Sequence, residues 1–246
     1  MEGGLAARPS IRLLHTSDIH IAGDRPSLEG LQAVVETANQ LDVDIVLVAG
    51  DLFDSSRVAD EAVSPALSAL SRFTRPVVVI PGNHDCVDDR SIYHRVDLTA
   101  VGDHVFFAGD PAGEELVFED LSLIVWARGI ESHDPGNRPL AGYAPADPRY
   151  WRVVLTHGHY TPDGDKSGRS SPINQEEIGQ LECDYLALGH WHQFADVSQG
   201  DVKAFYSGSP CDFGLTGTTV NLVTLSDAGV SVERQVIGER QIIGER

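Results

Sequence analysis

Five apolar runs in this chain end on polar side chains of the same few kinds. IRLLHTS (11–17) leads into Asp18-Ile19-His20, and VDIVLVAGD (43–51) into Asp51-Leu52-Phe53-Asp54. RPVVVIPG (75–82) leads into Asn83-His84-Asp85, RVVLTHGH (152–159) ends on His157-Gly158-His159, and DYLALGHWH (184–192) ends on His190-Trp191-His192. A short, continuous apolar run reads as a strand buried on both faces. Between the first three runs lie two segments with apolar residues at helical spacing. The first covers 27–41, with Ser27 as its expected N-cap; the second covers 58–73, where Pro65 is expected to kink or divide the helix. Strand, helix, strand, helix, strand predicts βαβ units and a parallel sheet. The carboxyl ends of parallel strands line one crevice in such a sheet, so the polar tips are expected to meet.

After residue 100 the pattern changes. HVFFAG, EELVFED and LSLIVWA read as short strands, 128–150 as a long loop, and 173–181 as a short helix. KAFYSGS, TVNLVTL and VSVERQVI alternate as strands of an antiparallel sheet do. The expectation is two sheets packed face to face with helices outside, in a single domain over 1–246, since no stretch reads as a linker. The last residues repeat QVIGER as QIIGER, a tail (235–246) too short for a solenoid and given no function.

Composition narrows the partners. No run of 18 apolar residues is present, so no membrane span is expected, and the first residues have no apolar signal core. Cys86, Cys183 and Cys211 have no metal-type spacing and read as small hydrophobes in a reducing cytoplasm, the expected location. The net charge is −19, and the 18 Lys and Arg residues form no run. Non-specific grip on long duplex DNA, which needs a basic face, is therefore not expected.

The tips themselves point to metal chemistry. Asp and Asn often follow strands simply because they cap turns, and a single His is more often packed than ligating. Five coincidences at five strand ends are harder to explain that way. In extended backbone residues i and i+2 face one side, so Asp-x-His or His-x-His can chelate one ion or flank two. The set is carboxylate, amide oxygen and imidazole without thiolate, which suits Mn²⁺, Fe²⁺ or Zn²⁺, with Mn²⁺ the first expectation. Seven candidate ligands, Asp18, His20, Asp51, Asn83, His157, His190 and His192, are too many for one ion and fit two with a shared carboxylate. Such a pair can clamp a phosphoryl group and activate a water.

DIH (18–20), GDLFD (50–54), GNHD (82–85), THGH (156–159) and GHWH (189–192) resemble, in this order, the signature of the calcineurin-like metallophosphoesterases. FYSGSP (205–210) is further similar to the nuclease subunits of double-strand-break repair complexes, though no DNA-capping domain or partner-binding helix is expected after it. The resemblance implies an α/β fold, a four-layer α/β/β/α sandwich of two mixed sheets. It implies that Asp18, His20 and His192 hold one ion, that Asn83, His157 and His190 hold the other, and that Asp51 bridges them. His84 would be a non-ligand proton donor to the substrate, oriented by Asp54. THGH offers two histidines; His157 is the expected ligand, leaving His159 to substrate or solvent.

The implied reaction is in-line attack of a bridging hydroxide on phosphorus, with His84 assisting the leaving group. Two ions, two aspartates and a hydroxide leave about one net positive charge, enough to draw a phosphate ester without a basic surface. A phosphodiester in a nucleotide or short nucleic acid is the first expectation for substrate. A phosphomonoester, including a phosphoprotein, is the alternative, and a non-catalytic binding scaffold is the alternative of another class. The oligomeric state stays open.

Several neighbours have plainer expectations. Trp191 should turn away into packing, Asp85 should serve as a structural acceptor, and Asp163, Asp165 and Lys166 should form a solvated turn. Tyr143, Tyr160 and His133 read as surface or turn residues, with contact to substrate from their loops as the alternative. The Ser207-Gly208-Ser209-Pro210 stretch reads either as a tight turn or as a source of N–H groups for phosphate.

Overall fold

The computed structural model describes residues 8–145, 147–211 and 218–238. One six-stranded sheet runs in the order β14-β13-β1-β2-β3-β4. In it β1 (Ile11–Thr16), β2 (Ile45–Ala49) and β3 (Val77–Ile80) are parallel, as the alternation predicts, and β4 (Val105–Phe107) adds a fourth parallel strand. β13 (Thr219–Ser226) runs antiparallel to β1, and β14 (Gly229–Val236) antiparallel to β13. Gln235 and Val236 close β14, Ile237 and Gly238 follow it, and 239–246 of the tail repeat lie outside the described residues.

The second sheet runs β11-β12-β10-β7-β6-β5. β6 (Leu123–Ala127), β7 (Trp151–His157), β10 (Tyr185–Gly189) and β12 (Lys203–Ser207) are parallel; β5 (Glu114–Phe118) and β11 (Phe194–Asp196) are antiparallel edges. The expectation of an antiparallel KAFYSGS strand is therefore corrected. Short β11 carries the chain back along the edge, and β12 then inserts beside β10 in parallel register, Leu186 opposite Ala204. A small parallel pair, β8 (His159–Thr161) with β9 (Pro172–Asn174), has no counterpart in the sequence pattern.

Each apolar run serves two cores, because successive side chains leave a strand on opposite faces. Leu13, Leu47, Val78, Val153, Leu155 and Ala187 meet between the sheets. Their neighbours Leu14, Val46, Val48, Val77 and Val79 face the helices α1 (Arg25–Gln40) and α2 (Asp60–Leu70), which supply Leu31, Val34, Val35, Val63 and Ala66. On the far side Val154, Leu186, Leu188 and Tyr206 are covered by Ile173 of β9 and Ile178 of α3 (Gln175–Gly179). The fourth layer is thus thin: one short helix, together with Leu140 and Tyr143 of the 128–150 loop.

Two helix expectations differ from the structure, the N-cap of α1 and the division of α2 at Pro65. The N-cap of α1 is Asp24, whose side chain accepts from the Ser27 amide, because Pro26 has no N–H to satisfy and fits the first turn. Pro65 lies inside α2 without dividing it. Its face is exposed at Glu61 and Pro65, so the carbonyl left without an N–H partner reaches water.

Candidate metal centre

The loops after β1 and β2 are zipped by main-chain hydrogen bonds. The Asp18 amide donates to Gly50 O at 3.0 Å, those of Ile19 and His20 to Asp51 O, and that of Ile21 to Leu52 O. These bonds hold Asp18, His20 and Asp51 side by side. Asp18, His20 and Asp51 have φ of 56°, 53° and 54°, and His190 has 107°. L-residues enter this left-handed region at a cost, and several together mark a site whose surroundings over-determine the backbone. Asp18 and His20 therefore meet through turned backbone, not through the extended alternation that the sequence pattern invited.

Glycines allow the close approach. A Cβ on Gly189 would stand 1.8 Å from Ala49 O, one on Gly82 2.2 Å from Asp51 Oδ1, and one on Gly50 2.4 Å from His157 Nδ1. These positions bring three strands and two ligand loops nearer than side-chain-bearing residues permit.

The seven expected ligands are together. Asp18, His20 and His192 can offer ligand atoms within 4.8 Å of one another, as can Asp18, Asp51 and His157. His20 Nε2 lies 3.2 Å from His192 Nε2, and His192 Nε2 lies 3.8 Å from Asp18 Oδ1. Asn83 Oδ1 lies 2.9 Å from both His157 Nε2 and His190 Nδ1. Between the two clusters Asp51 Oδ2 stands 3.7 Å from His20 Nε2 and 3.5 Å from His157 Nε2.

The donor set fits divalent cations. His157 Nδ1 lies 2.8 Å from Ala49 O, which can only accept, so Nδ1 carries the proton and Nε2 presents a lone pair. That lone pair faces an amide oxygen and a carboxylate where His157 and Asp51 are buried. Electron-rich atoms aimed at one another in a dry place repel, and a cation among them turns the repulsion into binding. Burial holds the His190 imidazole down to about 2 and that of His20 to about 4, so both are neutral at neutral pH. Burial, reinforced by the charge of Asp18, pushes the Asp51 carboxyl well above its ordinary range, the sign of an anion without a counter-charge.

His84 is exposed at the mouth, T-shaped to His20 with ring centroids 4.6 Å apart. Its Nδ1 lies 2.9 Å from the main-chain carbonyl of Asp54, while the carboxylate is 3.9 Å away and nearer to His20 Nδ1, at 3.3 Å. The orienting group for His84 is thus the backbone of Asp54; its side chain serves His20. Asp85 is the structural acceptor expected, taking hydrogen bonds from the Phe53 and Gly82 amides and the Tyr93 hydroxyl.

The Ser207–Pro210 stretch is a brace. Ser209 donates its hydroxyl to Asp18 O and its amide to His192 O, tying two ligand loops together, so that amide is spent. Trp191 stacks on Tyr206 at 4.6 Å, turned to packing as alternation predicts, and its Nε1–H reaches His159 Nδ1 at 3.2 Å. Asp163, Asp165 and Lys166 are exposed. Tyr143 donates to Glu182 O and Tyr160 to Gln175. His133 is exposed, as the sequence predicts, yet its ring stands 5.4 Å from that of His190, a neighbour with no signal in the sequence.

Comparison with known proteins agrees with this geometry. The sequence profile of the family described as Calcineurin-like phosphoesterase matches residues 11–194. The SbcD subunit of the nuclease SbcCD from Bacillus subtilis (strain 168) is 29% identical over 265 residues, covering 89% of this chain. The chain spans 66% of that protein's length. Purple acid phosphatase PPD1 from yellow lupin (Lupinus luteus) seeds superposes with a TM-score of 0.60 at 13% identity, over 93% of this chain and 52% of that one. TT1561 of Thermus thermophilus superposes with a TM-score of 0.59 at 13% identity, over 93% and 99%. At such identity these likenesses speak for the fold alone.

Proposed function

The chain belongs to the calcineurin-like phosphoesterase family, and from that premise we propose that it hydrolyses a phosphodiester in a nucleotide or short nucleic acid at a two-metal centre. One observation carries the reading: two nitrogen-rich clusters stand on either side of the Asp51 carboxylate. In this reading Asp18, His20 and His192 hold one ion, Asn83, His157 and His190 hold the other, and Asp51 is shared. Mn²⁺ is the first expectation, with Fe²⁺ or Zn²⁺ also suited to the set.

The ions, when bound, supply an acidified water as nucleophile and positive charge for the phosphoryl oxygens. The protein's residues do the rest. His84, held through Nδ1 by the Asp54 carbonyl, keeps Nε2 for the substrate, and in its imidazolium form, with a proton on each ring nitrogen, serves as proton donor to the leaving oxygen. The dry floor of Asp18, Asp51 and His157 strengthens every charge interaction made there.

The named activity of the Bacillus relative supports a diester over a monoester. The net charge of −19 argues against long duplex DNA as substrate. Among the described residues no helix is long and apolar enough to cross a membrane. The free cysteines fit a reducing, cytoplasmic setting. Hydrolysis of bis-p-nitrophenyl phosphate, p-nitrophenyl phosphate and short single-stranded DNA, each with Mn²⁺, Fe²⁺ and Zn²⁺, tests the reading. Faster turnover of the two diesters is expected; a preference for the monoester overturns it in favour of a phosphatase. An ion-free protein, inactive with every metal, overturns it in favour of a scaffold.

A further inference from the structure

Beside the second ligand cluster a cavity of about 370 Å³ opens, lined by His133, His159, Gly168, Arg169, Ser170 and His190. His190 joins it to the centre, since its ring also packs on His157, with centroids 5.4 Å apart. His159, Arg169 and Ser170 in this lining can donate hydrogen bonds. Trp191 Nε1 can only donate, so the bond to His159 Nδ1 places the proton of that ring on Nε2. Trp191 is itself fixed by stacking on Tyr206, and the His159 amide is tied to Ser171 O at 2.9 Å, so the ring is held from two sides. Among the described residues His159 Nε2 has no hydrogen-bond partner, and the exposed Arg169 guanidinium has no ion pair. Asp165, a carboxylate on the same loop that feels its charge, is bonded instead to the Ser167 amide and hydroxyl.

We infer that His159, Arg169 and Ser170 form a subsite for a second phosphate of the substrate, adjacent to the phosphate being hydrolysed. The inference rests on the phosphoesterase reading of the metal centre and narrows it to substrates carrying two neighbouring phosphates. An imidazole N–H, a hydroxyl and a guanidinium match the oxygens of a phosphate, and the planar guanidinium can make two parallel bonds to it. The candidate metal centre would take the first phosphate; a substrate with a single phosphate leaves the second set of donors unused. Two sources carry this chemistry, a nucleic-acid strand and a polyphosphate.

The test compares kcat/KM for the thymidine dinucleotides pTpT, TpTp and TpT, and for a bis-nucleoside tetraphosphate, with Mn²⁺. At least one doubly phosphorylated substrate should be preferred over TpT. In Arg169→Gln that preference should fall about tenfold, the usual loss of a charge-assisted bond, chiefly through KM, and Arg169→Lys should restore part of it. The favoured substrate identifies strand or polyphosphate. A wild-type preference of one, or a preference unmoved by Arg169→Gln, overturns the subsite while leaving phosphoesterase activity intact. NMR titration of the dinucleotides in EDTA gives a readout without turnover. If no ester is hydrolysed with any metal yet pTpT or TpTp binds more tightly than TpT, and Arg169→Gln removes the difference, the catalytic reading falls and the subsite stands.

Discussion

His84 takes its orientation from the main chain of Asp54: its Nδ1 lies 2.9 Å from that carbonyl oxygen and 3.9 Å from the carboxylate. The side chain and the backbone of one residue thus serve different histidines, since the carboxylate is 3.3 Å from His20 Nδ1. Asp54→Asn should weaken metal binding through His20 by about 10–100-fold, the usual effect of losing an outer-shell carboxylate. The hydrogen bond that orients His84 should survive. Metal titration with competing chelators checks the first point. An unchanged affinity with lost turnover would return the carboxylate to His84.

His84→Ala should leave metal content near the wild-type level and lower kcat by about 10²–10⁴-fold, the range for a general acid. Metal analysis beside steady-state kinetics separates the two effects. Parallel loss of metal would make His84 a ligand.

Gly189→Ala tests the close packing of the ligand strands. The new methyl would stand 1.8 Å from Ala49 O and 2.7 Å from His157 Nδ1, and the first of these atoms is backbone that cannot step aside. A loss of about 1–3 kcal/mol in chemical unfolding is expected, the scale of overpacking, together with weaker metal binding as the His157–Ala49 bond is pushed apart. A variant that matches the wild type in both would show that β2 and β10 tolerate separation.

Metal should stabilise the folded chain. Ligand at 100 times its Kd adds about 2.7 kcal/mol to unfolding, so Mn²⁺ should raise Tm and EDTA should lower it. Asn83→Ala, which removes the oxygen shared by His157 and His190, should shrink that response. A Tm indifferent to Mn²⁺ in the wild type would speak against the centre.

His15 governs part of the response to acid. Burial holds its imidazole down to about 3 from 6.5, so the unfolded chain takes up a proton that the folded one refuses. Stability from this group is complete above about pH 6.5 and is lost as pH falls toward 3, at up to about 1.4 kcal/mol per pH unit. Urea unfolding in EDTA from pH 7 to pH 5 should show a flatter decline for His15→Gln than for the wild type. Equal slopes would mean that the native chain protonates His15 freely.

The sequence by itself determined most of the strands, the parallel run of the first three, and the identity of the polar tips. Continuous apolar runs such as VDIVLVAGD read as strands with both faces covered, and strands that alternate with helices pair in parallel with their carboxyl ends together. What it left open was everything set by contacts between distant segments. The left-handed turns at Asp18, His20, Asp51 and His190 are unfavourable locally and persist because the loops are bonded to one another. The parallel insertion of β12, the Asp54 carbonyl on His84 and the His133–His190 pairing likewise have no local signal. Residue types and short-range periodicity name the candidate ligands; only the packing of two sheets decides which atom of each side chain faces which neighbour.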